Sequence, residues 1–146
     1  MLFIVCQPRY NSSMEDSIFT RIIKGEIPCN KIYEDDQVIA FLDIEPITPG
    51  HTLVVPKQQI DPLWALDDPL YQRVMEVARK VAKRQEEVLK PQRVGMTLMG
   101  FDVPHAHIHI FPLNKGFTET YMEYVEKRGA EPDSAALAAM AKKLAF

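Results

Sequence analysis

Three of the four histidines in this chain fall within five residues, His105-Ala106-His107-Ile108-His109. In an extended strand side chains alternate between faces, so the three imidazoles share one face while Ala106, Ile108 and Ile110 point into a core. Neighbouring rings on such a strand are about 6.6 Å apart, two steps of roughly 3.3 Å each. Imidazoles buried merely as packing would leave ring nitrogens unpaired, each at a cost on the order of 1–3 kcal/mol. The row therefore points to chemistry, of one of two kinds. Histidines at i and i+2 can hold zinc, as in catalytic sites with three His ligands and a water. Against this, the stretch has no acidic or thiolate partner of recognisable spacing apart from Asp102. Alternatively, an imidazole attacks phosphorus or a carbonyl carbon while its neighbours fix its tautomer and stabilise developing charge. The residues alone tilt modestly toward the nucleophile.

Holding such a row in place takes a sheet, and the sequence supplies one. Asp16 or Ser17 can cap a short helix, Ile18 to Lys24, stopped by Gly25 and then Pro28. Lys31–Glu34, an Asp35-Asp36 turn and Gln37–Ile44 have the pattern of a hairpin. Pro46, Pro49 and Gly50 break it, and His51–Pro56 reads as a third strand. Between Pro69 and Leu89, the apolar residues Leu70, Val74, Val77, Ala78, Val81 and Val88 recur near helical spacing with charges between them. That is an amphipathic helix with one face on the core. Arg93–Gly100 and Val103–Pro112 are the last two strands, and Ser134–Leu144, rich in Ala and Leu, is a further helix. Strands, a helix and more strands without a βαβ rhythm predict an α+β fold with an antiparallel sheet, one long helix and one or two short ones.

A length of 146 residues suits one domain, expected over residues 14–146 and including a helical tail at 117–146. Residues 1–13 form an extra arm, and Met14 offers an alternative start. At 47% hydrophobic and 25% charged residues the chain is not of the disordered class. Seventeen basic against 20 acidic residues give a net charge of −3, which argues against a nucleic-acid polymer as partner. No stretch approaches 18 apolar residues, so no membrane partner is expected. The opening MLFIVC is short and lacks a basic flank, which argues against a secretory signal. Cys6 and Cys29 could form at most one disulfide and nothing in their setting suggests it, so a reducing, cytoplasmic home is expected.

The run His105–Phe111, with histidines alternating with apolar residues, fits the histidine-triad pattern. Ser17–Pro28 followed by Lys31–Lys57 matches the amino-terminal half of the Hint-type branch in order and spacing. From about Ser17 to Pro112 the chain resembles the HIT (histidine triad) superfamily of nucleotide hydrolases and transferases. The resemblance implies a HIT-like fold and a homodimer that joins two sheets across a strand and the long helix. It implies a purine nucleotide substrate and no required cofactor. His107 would attack the α-phosphorus to give a nucleotidyl-histidine, which water hydrolyses to a nucleoside monophosphate. His109 would contact the phosphate, the backbone of His105 would orient the nucleophile, and His51 would lie beside the triad. Asp43 would accept the ribose hydroxyls, and Ile18, Phe19, Ile22, Ile27, Phe41 and Ile44 would form the nucleoside pocket. A carboxylate suits a vicinal diol and apolar side chains suit a planar base.

The chain also departs from that pattern. Where Gly-Gln and a small hydroxyl residue are usual, it has Gly100-Phe101-Asp102-Val103-Pro104. Asp102, placed with the nucleotide-binding set, would repel a phosphate unless it points away and orients a histidine instead. The asparagine expected on the preceding strand is not evident, with Thr97 a partial substitute. Two other classes stay open: a nucleotide-binding regulatory protein with weak catalysis, and a zinc-dependent enzyme using the histidine cluster.

Overall fold

Five strands and four α-helices build the computed structural model, which describes residues 15–146. In chain order these are α1 (Ile18–Ile23), β1 (Lys31–Glu34), β2 (Val38–Leu42), β3 (Thr52–Pro56), α2 (Asp68–Leu89), β4 (Arg93–Thr97), β5 (Ile108–Leu113), α3 (Phe117–Lys127) and α4 (Ser134–Leu144). The strands form one antiparallel sheet in the order β1-β2-β3-β5-β4. The α+β class and the antiparallel sheet are as expected. The arm at 1–13, Met14 and Cys6 lie outside the described residues.

Local chemistry sets the boundaries. Ser17 caps α1, its hydroxyl accepting from the Thr20 N–H at 3.1 Å. Asp35 Oδ1 accepts from the N–H groups of Gln37 and Val38, both at 2.8 Å, and turns β1 into β2. Asp67 caps α2 through the Leu70 N–H at 2.9 Å, with Pro69 in the first turn. That helix ends at Lys90, in the left-handed region at φ 49°, followed by Pro91.

The two sheet faces differ. On one, Val38, Ala40, Leu42, Val54, Ala106, Ile108 and Ile110 pack beneath Leu70, Val74, Val77, Ala78 and Val81 of α2 and Ala141 and Leu144 of α4. On the other, Ile39, Phe41, Leu53 and Val55 pack with Phe19 of α1. Both β2 and β3 are buried along their whole length, so the register between them and β5 is held from both sides. Gly95 faces Phe111 across the β4–β5 ladder, and a Cβ there would come within 2.7 Å of the Phe111 ring. Glycine is what lets that ring lie across β4. Among the described residues no helix is long and apolar enough to cross a membrane.

Two expectations need correcting. The fifth strand begins at Ile108, not Val103, so His105 and His107 stand outside the ladder. Pro56 ends β3 without an N–H to extend the pairing, and the Ala106 N–H turns instead to the Ile60 carbonyl at 2.7 Å. The alternation of faces survives the change, because Ala106 still joins Ile108 and Ile110 in the core. The helices number four rather than two or three, because the helical tail expected over 117–146 holds, ahead of α4, a separate helix α3. It starts at Gly116 without a side-chain cap and buries only Thr120, leaving Phe117, Tyr121, Met122 and Val125 exposed.

Candidate active site

All four histidines are buried at the α1 side of the sheet, and their backbone partners fix how each ring carries its hydrogen. The Ile47 N–H lies 3.1 Å from His51 Nδ1. A backbone N–H can only donate, so this nitrogen accepts, and a neutral His51 carries its hydrogen on Nε2. His51 Nε2 lies 2.9 Å from His109 Nδ1 and therefore donates to it. That leaves the His109 hydrogen on Nε2, a buried atom with no partner in hydrogen-bond geometry among the described residues, although the Met99 carbonyl lies near enough to raise the ring's pKa. Burial supports the neutral state of both rings. It pushes His51 down to about 3, helped by the neighbouring His109. Burial, followed by the neighbouring His107, pushes His109 down to about 4, with the Met99 carbonyl and Asp102 pulling the other way.

His107 is fixed from the opposite end. Its Nδ1 lies 2.7 Å from the His105 carbonyl, which can only accept, so Nδ1 donates and the lone pair of the neutral ring sits on Nε2. The His107 and His109 rings meet edge to face with centroids 4.8 Å apart, and Phe19 packs edge-on against His107 at 5.0 Å. His105 is different in kind. Its Nε2 donates to the Pro56 carbonyl at 2.7 Å and its Nδ1 accepts from the Ser17 hydroxyl at 2.7 Å. Both nitrogens are satisfied, so this ring is a strut and only its carbonyl reaches the site. Burial lowers its pKa as well.

The other expected residues divide. Asp43 follows β2, with its N–H on the His51 carbonyl at 2.9 Å and its Oδ1 accepting from the Glu45 N–H at 2.9 Å. Its Oδ2 is 3.7 Å from His51 Nδ1. Burial raises the Asp43 pKa. Phe19, Phe41 and the half-buried Ile22 pack together beside the histidines, and Phe19 and Phe41 meet edge to face at 5.7 Å. Ile27 is half-buried, while Ile18 and Ile44 are 47% and 59% exposed and belong to neither apolar cluster. Ile44 lines a cleft of about 880 Å³ between the 44–51 loop, α3 and α4. Asp102 is exposed and acts on His109 through its charge, with no hydrogen bond to a histidine among the described residues. Thr97 stands opposite His109 in the β4–β5 register. A second cavity of about 360 Å³ opens beside His107, lined by Asp61, Trp64, Leu98 and Phe101 among others.

Asp43, His51 and His109 each offer a ligand atom, all within 4.8 Å of one another. Both His51 nitrogens are already engaged, so an ion bound there would have to break the bond to Ile47 or to His109. Three contributors were not anticipated. Ser17 reads from the sequence only as a cap, yet it also holds His105. Gln59 Oε1 accepts from the Ser17 N–H at 2.9 Å and also from the Thr20 hydroxyl. The Ile47 amide is a backbone group and leaves no residue signature.

Residues 24–116 match the HIT domain. The chain is 33% identical over 141 residues to the protein hit of Bacillus subtilis, covering 90% of this chain and 96% of that one. It is 38% identical over 97 residues to the adenosine 5'-monophosphoramidase hnt1 of Schizosaccharomyces pombe, covering 65% and 72% of the two chains. Among solved structures it is similar to a HIT-like protein of Bartonella henselae, described as involved in cell-cycle regulation and solved with an unknown ligand. That similarity has a TM-score of 0.74 and 31% identity, over 88% of this chain and 94% of the other. The chain belongs to the HIT family of nucleotide-binding hydrolases and transferases.

Proposed function

We propose that this protein cleaves a phosphoanhydride or phosphoramidate bond at the α-phosphate of a purine nucleotide through a nucleotidyl-histidine on His107. His107 Nε2 forms a bond to the α-phosphorus while the bond from phosphorus to the leaving oxygen or nitrogen breaks, and the leaving group takes up a proton. Water then attacks the same phosphorus, the P–N bond breaks, and His107 is returned with a nucleoside monophosphate. His109 Nε2–H donates to the phosphoryl oxygens as their negative charge grows. Asp43 accepts the ribose hydroxyls, and Phe19, Ile22 and Phe41 pack the nucleoside beside the triad, with Ile18, Ile27 and Ile44 at its margin.

The observation that carries this is a pair of unpaired nitrogens on adjacent rings, one a lone pair and one an N–H. Attack on a phosphoryl group needs that combination, and no metal ion is required for it. The S. pombe relative's phosphoramidase activity lends support to a P–N bond among the substrates. The experiment is a panel of adenosine and guanosine phosphoramidates, dinucleoside polyphosphates and aminoacyl adenylates, with released monophosphate quantified. Protein quenched during turnover should carry an acid-labile nucleotidyl group on His107. His107→Asn should lose several orders of magnitude in turnover while affinity stays within about tenfold, or 1.4 kcal/mol. Near-parental activity in that variant, or activity abolished by chelators, would promote the zinc enzyme. Absence of turnover across the panel would favour a binding regulator.

The protein acts as a homodimer paired through β4. That strand is one of the two edges of the sheet, bonded only to β5 among the described residues, and Met96, Leu98 and Met99 on and beside it are exposed. An unprotected edge flanked by apolar side chains invites pairing with a second copy. Light scattering that returned the 16.7 kDa monomer mass at micromolar concentration would refute the assembly.

A further inference from the structure

The apolar stripe of α2 runs Leu70, Val74, Val77, Ala78, Val81 and then meets Gln85, one turn further on and 0% exposed. A side chain at that place in the stripe belongs to the core, and an aliphatic one would fill it. The amide does something an aliphatic side chain cannot. Its Nε2 donates to the Gly50 carbonyl at 2.9 Å and to the Ile110 carbonyl at 3.1 Å, with Thr52 Oγ1 at 3.4 Å. The Thr52 hydroxyl donates to the same Gly50 carbonyl at 2.9 Å. Gln85 Oε1 is buried with no partner among the described residues, so the amide is kept for its donor end.

The two carbonyls are not arbitrary. Gly50 immediately precedes His51, and Ile110 immediately follows His109. The β3–β5 pairing ends at Thr52 and Ile110, so past that point the ladder no longer fixes how far apart the two chains run. The 2.9 Å contact from His51 Nε2 to His109 Nδ1 depends on that separation. We propose that Gln85 is a positioning residue for this pair, its amide tying the backbone beside His51 to the backbone beside His109 so that the His109 Nε2–H stays aimed at the substrate. The assignment of a substrate to that N–H rests on the function proposed above; the tie itself does not.

The test uses Gln85→Leu and Gln85→Met, which keep the side chain's approximate size and suit the apolar stripe. Nitrogen-15 spectra of the imidazoles in the free protein report the tautomers directly. The parent should show single Nε2–H tautomers for His51 and His109, and the variants a mixture at His109. With a nucleoside phosphoramidate, kcat should fall at least tenfold while KM stays within threefold. A purely structural amide would lower the melting temperature and leave the tautomers and kcat as they were, and that result would overturn the proposal. If both variants failed to fold, scalar coupling across the hydrogen bonds from the Gln85 amide to the Gly50 and Ile110 carbonyl carbons in the parent protein would decide, and its absence would overturn the tie. Should the parent turn over no nucleotide, the proposed reaction falls while the spectra still judge Gln85.

Discussion

Removing one hydroxyl at the start of α1 should disturb the site from outside it. Ser17 Oγ accepts from the Thr20 N–H at 3.1 Å and donates to His105 Nδ1 at 2.7 Å. Ser17→Ala therefore loses a helix cap, about 1 kcal/mol, and leaves a buried imidazole nitrogen without a donor, about 1–3 kcal/mol more. The sum is on the order of 2–4 kcal/mol, with the lower end reached if the Thr20 hydroxyl, now 3.4 Å from the same nitrogen, swings in. For a chain of this length that corresponds to a melting temperature lower by on the order of 10 °C. Turnover should fall too, because the His105 carbonyl is what orients His107. Thermal and urea unfolding of Ser17→Ala beside Ser17→Thr, with turnover of each, makes the comparison. Threonine keeps the hydroxyl and should recover most of both losses. If the alanine variant melted within about 2 °C of the parent, less than 1 kcal/mol by the usual scaling, the Ser17–His105 bond would not hold the weight given to it.

Asp43→Ala should weaken nucleotide binding by roughly 1.5–3 kcal/mol while slowing bound substrate much less; a variant that still discriminated ribose from 2′-deoxyribose as the parent does would refute the ribose assignment. Stability should fall as the pH drops below 6.5, the ordinary histidine value, toward about 4 and 3, where His109 and His51 finally protonate. In that window the unfolded chain binds protons that the folded one refuses, which costs about 1.4 kcal/mol per pH unit for each ring, and above it both states are neutral and the contribution is constant. Urea midpoints at pH 7.5 and 4.5 measure the loss, and His51→Gln, which keeps a donor and an acceptor but does not titrate, should remove the share that His51 contributes and leave that of His109. Gly95→Ala should cost about 1–3 kcal/mol, because the new Cβ falls 2.7 Å from the Phe111 ring, and a melt unchanged from the parent would show that the ring moves freely.

The elements with strong local signals were legible: the Ser17 cap, the Asp35 turn and the valine-rich stripe of α2 are all visible in order along the chain. The triad was legible as a row of histidines on one face. Where that row leaves the ladder was not, because the cause is a proline on a different strand. Pro56 stops the pairing, and alternation within residues 103–110 carries no trace of it. The bounds of α3 within the helical tail were not legible, because it has no side-chain cap and its apolar residues face outward rather than marking a core stripe. In the candidate site the cluster of four histidines and Asp43 was legible, while the hydrogen bonds of Gln59 and Gln85 were not. A glutamine's meaning depends on which carbonyl or hydroxyl it meets across the fold, and that is set by tertiary packing alone.

The Ile47 amide has a consequence for how this site can be mapped. It is the group that gives the His51–His109 relay its direction, since a backbone N–H cannot accept and every hydrogen downstream is assigned by that fact. Every residue except proline carries the same amide, so side-chain scanning at position 47 would report the loss of a buried isoleucine and nothing else. The polarity of the relay is thus invisible to every substitution but proline, which would remove the isoleucine side chain along with the donor. Exchanging the peptide bond into residue 47 for an ester would remove the donor while keeping every side chain in place, and would free the two imidazoles to reverse their hydrogens together.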